Sequence, residues 1–153
     1  MATQAFVNQG LGMTGQNLSP VTVTIGDLKI DAYSAHAGIG ALPSEYAGMP
    51  QMGSVEANIS FQIDLNNITQ TDSFTVVKTL FDLCNRPGKA DIRPIKIDFW
   101  KDQSRQDVHL SMKFDGWISS WHVSSGYGHN HVLAVSLQPK LDPQHFIKVD
   151  LSN

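Results

Sequence analysis

Two histidines, His129 and His131, are the first residues in this chain whose spacing invites chemistry. On a strand, an H-x-H pair turns both rings to the same side. Metalloenzymes built on β-barrels use such pairs, but they add a carboxylate and a further His from another strand. His109 and His122 are available as thirds, yet no spacing singles them out, and two histidines beside a strand need no metal. The chain has only two glutamates, Glu45 and Glu56, and neither has an evident carboxylate partner for acid–base work. Ser119, Ser120, Ser124 and Ser125 lack a nucleophile context, and no G-x-S-x-G, P-loop, G-x-G-x-x-G or C-x-x-C occurs. Cys84 is the single cysteine, so no intrachain disulfide forms, and its place on an apolar stripe reads as packing. Trp117 and Trp121 lie four apart in an extended segment and are expected on one face, where core or interface packing is their commoner use. Trp100 completes the set. This inventory assigns no catalytic residue, no metal ligand and no cofactor, and the expectation is a protein that is not an enzyme.

The elements that would carry these residues are better defined than the chemistry. From Ser54 to Leu65 every odd position is apolar (Val55, Ala57, Ile59, Phe61, Ile63, Leu65) and every even one polar. A period of two describes a β-strand with one dry and one wet face. At ~3.4 Å per residue it would reach ~40 Å, about twice an ordinary strand. Its wet face, Glu56, Asn58, Ser60, Gln62 and Asp64, is polar with little charge, which suits a wall.

The other segments support that wall. Val21–Ile25 and Leu28–Ala32 alternate on either side of Gly26-Asp27, the chemistry of a two-residue hairpin turn. Ser34–Gly53 loses the pattern and reads as a long extended loop. It carries one charge, Glu45, yet holds Ile39, Leu42, Pro43, Tyr46, Met49 and Met52, the composition of a limb that docks on its own domain or on a neighbouring subunit. Phe74, Val77, Phe81 and Cys84, with Leu80 in the same stripe, predict one helix of about a dozen residues, with Thr71, Asp72 and Ser73 as N-cap candidates. Strands resume at Ile95–Phe99 and Val108–Phe114. A bulge or kink is expected at Asp115-Gly116, followed by WISSWHVSS, HVLAVSLQP and a short HFIKVDL. The expected architecture is mainly β: an antiparallel β-barrel of two packed sheets, with one α-helix and a long extended loop.

Composition narrows the function. A chain of 153 residues with 41% hydrophobic content fits one globular domain, residues 1–20 forming a Gly-rich arm. Charged residues make up only 16%, below the usual quarter, as on a surface partly covered by other subunits. The formal charge is −3, and the eleven Lys and Arg are scattered without a cluster, which argues against nucleic acid. No apolar run is long enough to span a membrane, and the N-terminus lacks the features of a secretory signal.

The order of elements resembles the haemolysin-coregulated proteins of type VI secretion and the related tail-tube proteins of contractile phages. ISFQIDLNNITQTDSFTVVKTLF is similar to that family's strand-to-helix passage. IKIDFWKDQSRQDVHLSMKFDGWISSWHVSSGYGHNHVLAVSLQPKL is similar to the strands that follow, including an "ISS" continuation, a Gly-rich loop and a strand ending in "SL". The Gly-rich N-terminal arm and the C-terminal end depart from the pattern. The resemblance implies a structural subunit of an injection machine's inner tube, forming stacked homo-hexameric rings. Glu56, Asn58, Ser60, Gln62 and Asp64 would then face the lumen, and the Ile39–Met52 limb would contact an adjacent subunit or ring. Partners would be the chain itself, sheath and spike proteins, and effector cargo, with no nucleic acid and no membrane insertion. The protein would be made in the cytoplasm without a signal peptide and exported by the machine. Two other readings stand beside it: a monomeric β-barrel holding a small apolar ligand, and a metal-dependent β-barrel enzyme using His129 and His131.

Overall fold

The computed structural model describes residues 19–43, 50–66, 73–86, 91–128, 130–140 and 147–151. In chain order the elements are β1 (Val21–Ile25), β2 (Leu28–Ala32), β3 (Ser34–Pro43), β4 (Pro50–Asp64), α1 (Ser73–Asn85), β5 (Arg93–Trp100), β6 (Val108–Ser124), β7 (Val132–Pro139) and β8 (Lys148–Leu151). The mainly β architecture with one helix is as expected. All strands join one eight-stranded antiparallel sheet, ordered β2-β1-β5-β6-β7-β4-β3, with β8 added to β6. The sheet curls until the Tyr33 amide donates to the Gln62 carbonyl of β4 at 2.7 Å. Among the described residues no ladder closes β2 onto β3.

Alternation explains the core. Val23, Ile30, Ile59, Phe61, Ile63, Ile95, Ile97, Leu133, Val135 and Leu137 are buried together on the concave side, closed by Val76 and Leu80 of α1. The β1–β2 hairpin forms as the sequence dictates, with Ile25 opposite Leu28 and Gly26 at φ +58, a conformation that costs a glycine little. Pro94 is a strand entry, as its position suggests: it is the second residue of β5, and its carbonyl accepts from the Gly26 amide at 2.9 Å.

Four expectations need correction. Ser34–Gly53 is not a loop, because β3 runs from Ser34 to Pro43 and β4 already begins at Pro50. The small residues Ala35, Ala37, Gly38, Gly40 and Ala41 hide the alternation, and pairing with the long β4, from Ser34↔Gln62 to Pro43↔Pro50, supplies the order. The helix turns only part of its expected stripe inward: Val77, Leu80 and Cys84 pack as expected, Phe74 and Phe81 do not. Val76 and Leu80 are buried, with Val77, Leu83 and Cys84 packed against the core, whereas Phe74 is 75% exposed and Phe81 43%. Val76, Leu80 and Leu83 satisfy the same spacing of three and four as Phe74 and Phe81; the contact with β6 selects between them.

The third correction concerns β6, which is continuous over 17 residues. Its register shift falls between Ile118 and Ser120, so Ser119 is the extra residue of the bulge rather than Asp115-Gly116. Gly116 answers a different need: a Cβ there would overlap the Gln138 carbonyl oxygen. The fourth follows from the third. Trp117 stands opposite Gln138 on the polar face and Trp121 opposite Val135 on the core face, so the bulge separates two residues that regular alternation would place together. Trp121 meets Phe81 edge to face at 5.3 Å. Residues 1–18 of the Gly-rich arm and the cap candidates Thr71 and Asp72 lie outside the described residues.

Candidate functional site

Four strands build one continuous polar surface. On β4 the odd residues Ala57, Ile59, Phe61 and Ile63 are buried; Glu56, Asn58 and Gln62 are exposed, and Ser60 and Asp64 half-buried. Register extends this face sideways: His36–Ser60–Ser136–Ser120 form one row across β3, β4, β7 and β6, and Ser34–Gln62–Ala134–His122 the next. Gly38 and Gly40 lie beside Asn58 and Glu56, and Trp117 beside Gln138. All five residues expected on the wet face, Glu56, Asn58, Ser60, Gln62 and Asp64, therefore stand on one side of the sheet.

Hydrogen bonds fix one end of this wall. The Asn130 amide nitrogen donates to Asp64 Oδ2 at 2.8 Å, and the Asn66 backbone N–H to Asp64 Oδ1 at 3.0 Å. Asn66 Oδ1 in turn accepts from the His131 backbone N–H at 3.0 Å. Ser34 Oγ donates to Gln62 Oε1 at 3.4 Å.

The wall has two open edges. Among the described residues, β3 ends the strand order and pairs only with β4. The Trp117–Ser124 half of β6 pairs with β7 on one side, while β5 stops opposite Gly116, so its other side has no strand among the described residues. Exposed apolar side chains flank both edges. Ile39, opposite Ala57, is 49% exposed on β3; Val123, opposite Leu133, is 48% exposed on β6, two residues from Trp121, which meets Phe81. Unpaired strand edges beside apolar surface are sites of association with another chain.

Charge is divided between the two halves of the sheet, a signal that the scattered Lys and Arg conceal when simply counted. All eleven lie outside two runs, Ile30–Val77 and Phe114–Pro139. Those runs contain β3, β4, β7 and the open-edged half of β6. The other half of the sheet carries a cross-strand row Lys29–Thr24–Lys96–Lys113–Lys148 beside a row Asp31–Thr22–Asp98–Ser111–Asp150. Like charges directly opposite one another destabilise a sheet, and here the aspartates compensate. Lys96 pairs with Asp98 at 3.0 Å, Lys113 with Asp150 at 2.8 Å, and Arg105 with Asp31 at 2.8 Å. The hydrogen bond to Lys113 holds the Asp150 carboxyl below the usual carboxylate range. Buried Asp98 also accepts from Ser111 Oγ at 2.8 Å.

The remaining candidates are placed as follows. Leu42, Pro43 and Met52 belong to the β3 and β4 backbones, and Tyr46 and Met49 lie outside the described residues, as does His129. His131 precedes β7, whereas His122 is on the polar face of β6. No group of three or more His, Cys, Asp or Glu suited to a metal occurs among the described residues.

Comparison with solved structures identifies the architecture. The chain aligns over 95% of its length with 98% of a chain from the cryo-EM structure of an extracellular contractile injection system, the PVC sheath-tube complex in its extended state (TM-score 0.60, 16% identity). It aligns over 86% of its length with 95% of Hcp1 from Flavobacterium johnsoniae (TM-score 0.61, 9% identity). A crystal structure of an Hcp protein matches over 88% of this chain and 99% of its own (TM-score 0.57, 13% identity). The fold is therefore that of Hcp and injection-system tube proteins. No family model and no curated protein sequence matches the chain.

Proposed function

We propose that this protein is a structural subunit of the inner tube of a contractile injection machine. Its copies close into rings, six per ring as the family resemblance implies, and the rings stack with the polar wall as each copy's share of the lumen. Effectors pass through that lumen, a sheath surrounds the tube, and the assembled tube leaves the producing cell. No catalytic step is assigned to it.

The observation that carries this reading is the four-stranded wall with two open edges. Strand direction alternates from β6 through β7 and β4 to β3. A cyclic axis running along the strands preserves their directions. Because each copy contributes an even number of alternating strands, β3 of one copy meets Trp117–Ser124 of the next in antiparallel sense, and closure removes both edges. Ile39 would then cover the apolar surface around Val123 and Phe81 of its neighbour. The ligand-carrier reading fits less well, since the interior it needs is filled by Phe61, Ile59, Leu80, Ile95 and Ile97.

The test is mass in solution combined with electron microscopy of the concentrated protein. Rings with a central hole are expected, and Val123→Lys is expected to fold normally and remain monomeric. A wild-type protein that stays monomeric without rings overturns the proposal.

A further inference from the structure

We infer that the wall favours basic polypeptide segments over acidic ones, so that the passage sorts its cargo by charge. This rests on the tube reading above. The sheet's polar face from β3 to the open-edged half of β6 holds no lysine or arginine, although the chain has eleven. Its permanent charges are carboxylates on β4: Glu56, exposed, and Asp64, whose oxygens are held by Asn130 and Asn66. His36 and His122 are the other titratable groups on this face, and β7 contributes none.

Glu56 and Asp64 are eight residues apart on one strand, a separation of about 27 Å. Repeated round a ring, they become two carboxylate collars at different heights. The belt between them carries no permanent charge: Asn58, Ser60 and Gln62 on β4, with Ser136 and Ser120 beside them and His36 and His122 in the outer strands. Rings of carboxylates admit cations and repel anions, and a channel with low-dielectric walls focuses their field. Nucleic acid, which needs cations to neutralise its phosphates, finds none on this face. A basic segment is drawn to the collars but meets no further carboxylate between them, so it is not held fast.

Purified rings, verified by electron microscopy, are titrated with a fluorescent lysine-rich peptide and a glutamate-rich peptide of equal length. The lysine peptide is expected to bind about tenfold more tightly at low salt. That preference is expected to fall towards parity at high salt and to weaken in the Glu56→Gln variant, which replaces the exposed carboxylate and leaves the Asp64 hydrogen bonds in place. Rings that bind the two peptides equally, or whose preference is undiminished in the variant, overturn this inference and leave the tube reading standing. A protein that forms no rings overturns both.

Discussion

At the scale of single residues, two positions show what spacing reveals and what it hides. Gly116 stands out in the sequence as a break in alternation, which suggests a kink. The backbone runs through it as regular strand, and glycine is required because the Gln138 carbonyl occupies the space of a side chain. Gly116→Ala is therefore expected to destabilise the fold by about 1–3 kcal/mol, the range for an overpacked buried site. An unchanged denaturation midpoint would contradict it. The wet-face residues Glu56 to Asp64 were legible one by one, because alternation over a long run leaves no other assignment. The division of charge was equally present in the residue order, as two long runs without a cation. It has no meaning until β3, β4, β7 and half of β6 are known to lie side by side, and that adjacency is a property of topology.

Among the elements, legibility followed side-chain size. β4 and β7 alternate large apolar with polar residues and are plain in the sequence. β3 is built of alanine and glycine, and only its fifteen-residue partner makes it a strand. The helix is plain in the sequence, and so is most of its inward stripe, Val77, Leu80 and Cys84; Phe74 and Phe81 fit the same spacing as Val76 and Leu83, and β6 decides. The bulge at Ser119 was invisible for a similar reason, since one extra residue among serines changes no local pattern. Its effect can be isolated. Deleting Ser119 leaves Ser120 opposite Ser136 and Trp121 opposite Val135, so the protein is expected to fold with Trp121 emission unchanged. Deleting Ser136 turns Leu137 to the polar face, at a cost of about 2–5 kcal/mol, comparable to emptying a buried leucine site. Equal loss of stability in both variants would contradict the bulge assignment.

At the scale of the whole molecule, one half of the sheet neutralises its own charges and the other ends in open edges. The cross-strand lysine and aspartate rows make the first half self-sufficient. The wall half has apolar residues beside each edge and a polar face without cations, features that a lone domain does not need and a shared surface does. The order of elements carries the resemblance to this fold, although identities of 9–16% with the solved structures leave little residue-level trace of it. The most direct measurement is a density map of the assembled protein in which individual strands can be followed. The expected map has β3, β4, β7 and the Trp117–Ser124 half of β6 from every copy lining the central hole, with β3 hydrogen-bonded to the neighbouring β6. A hole lined instead by α1 or by the Lys29–Lys148 row would contradict the account.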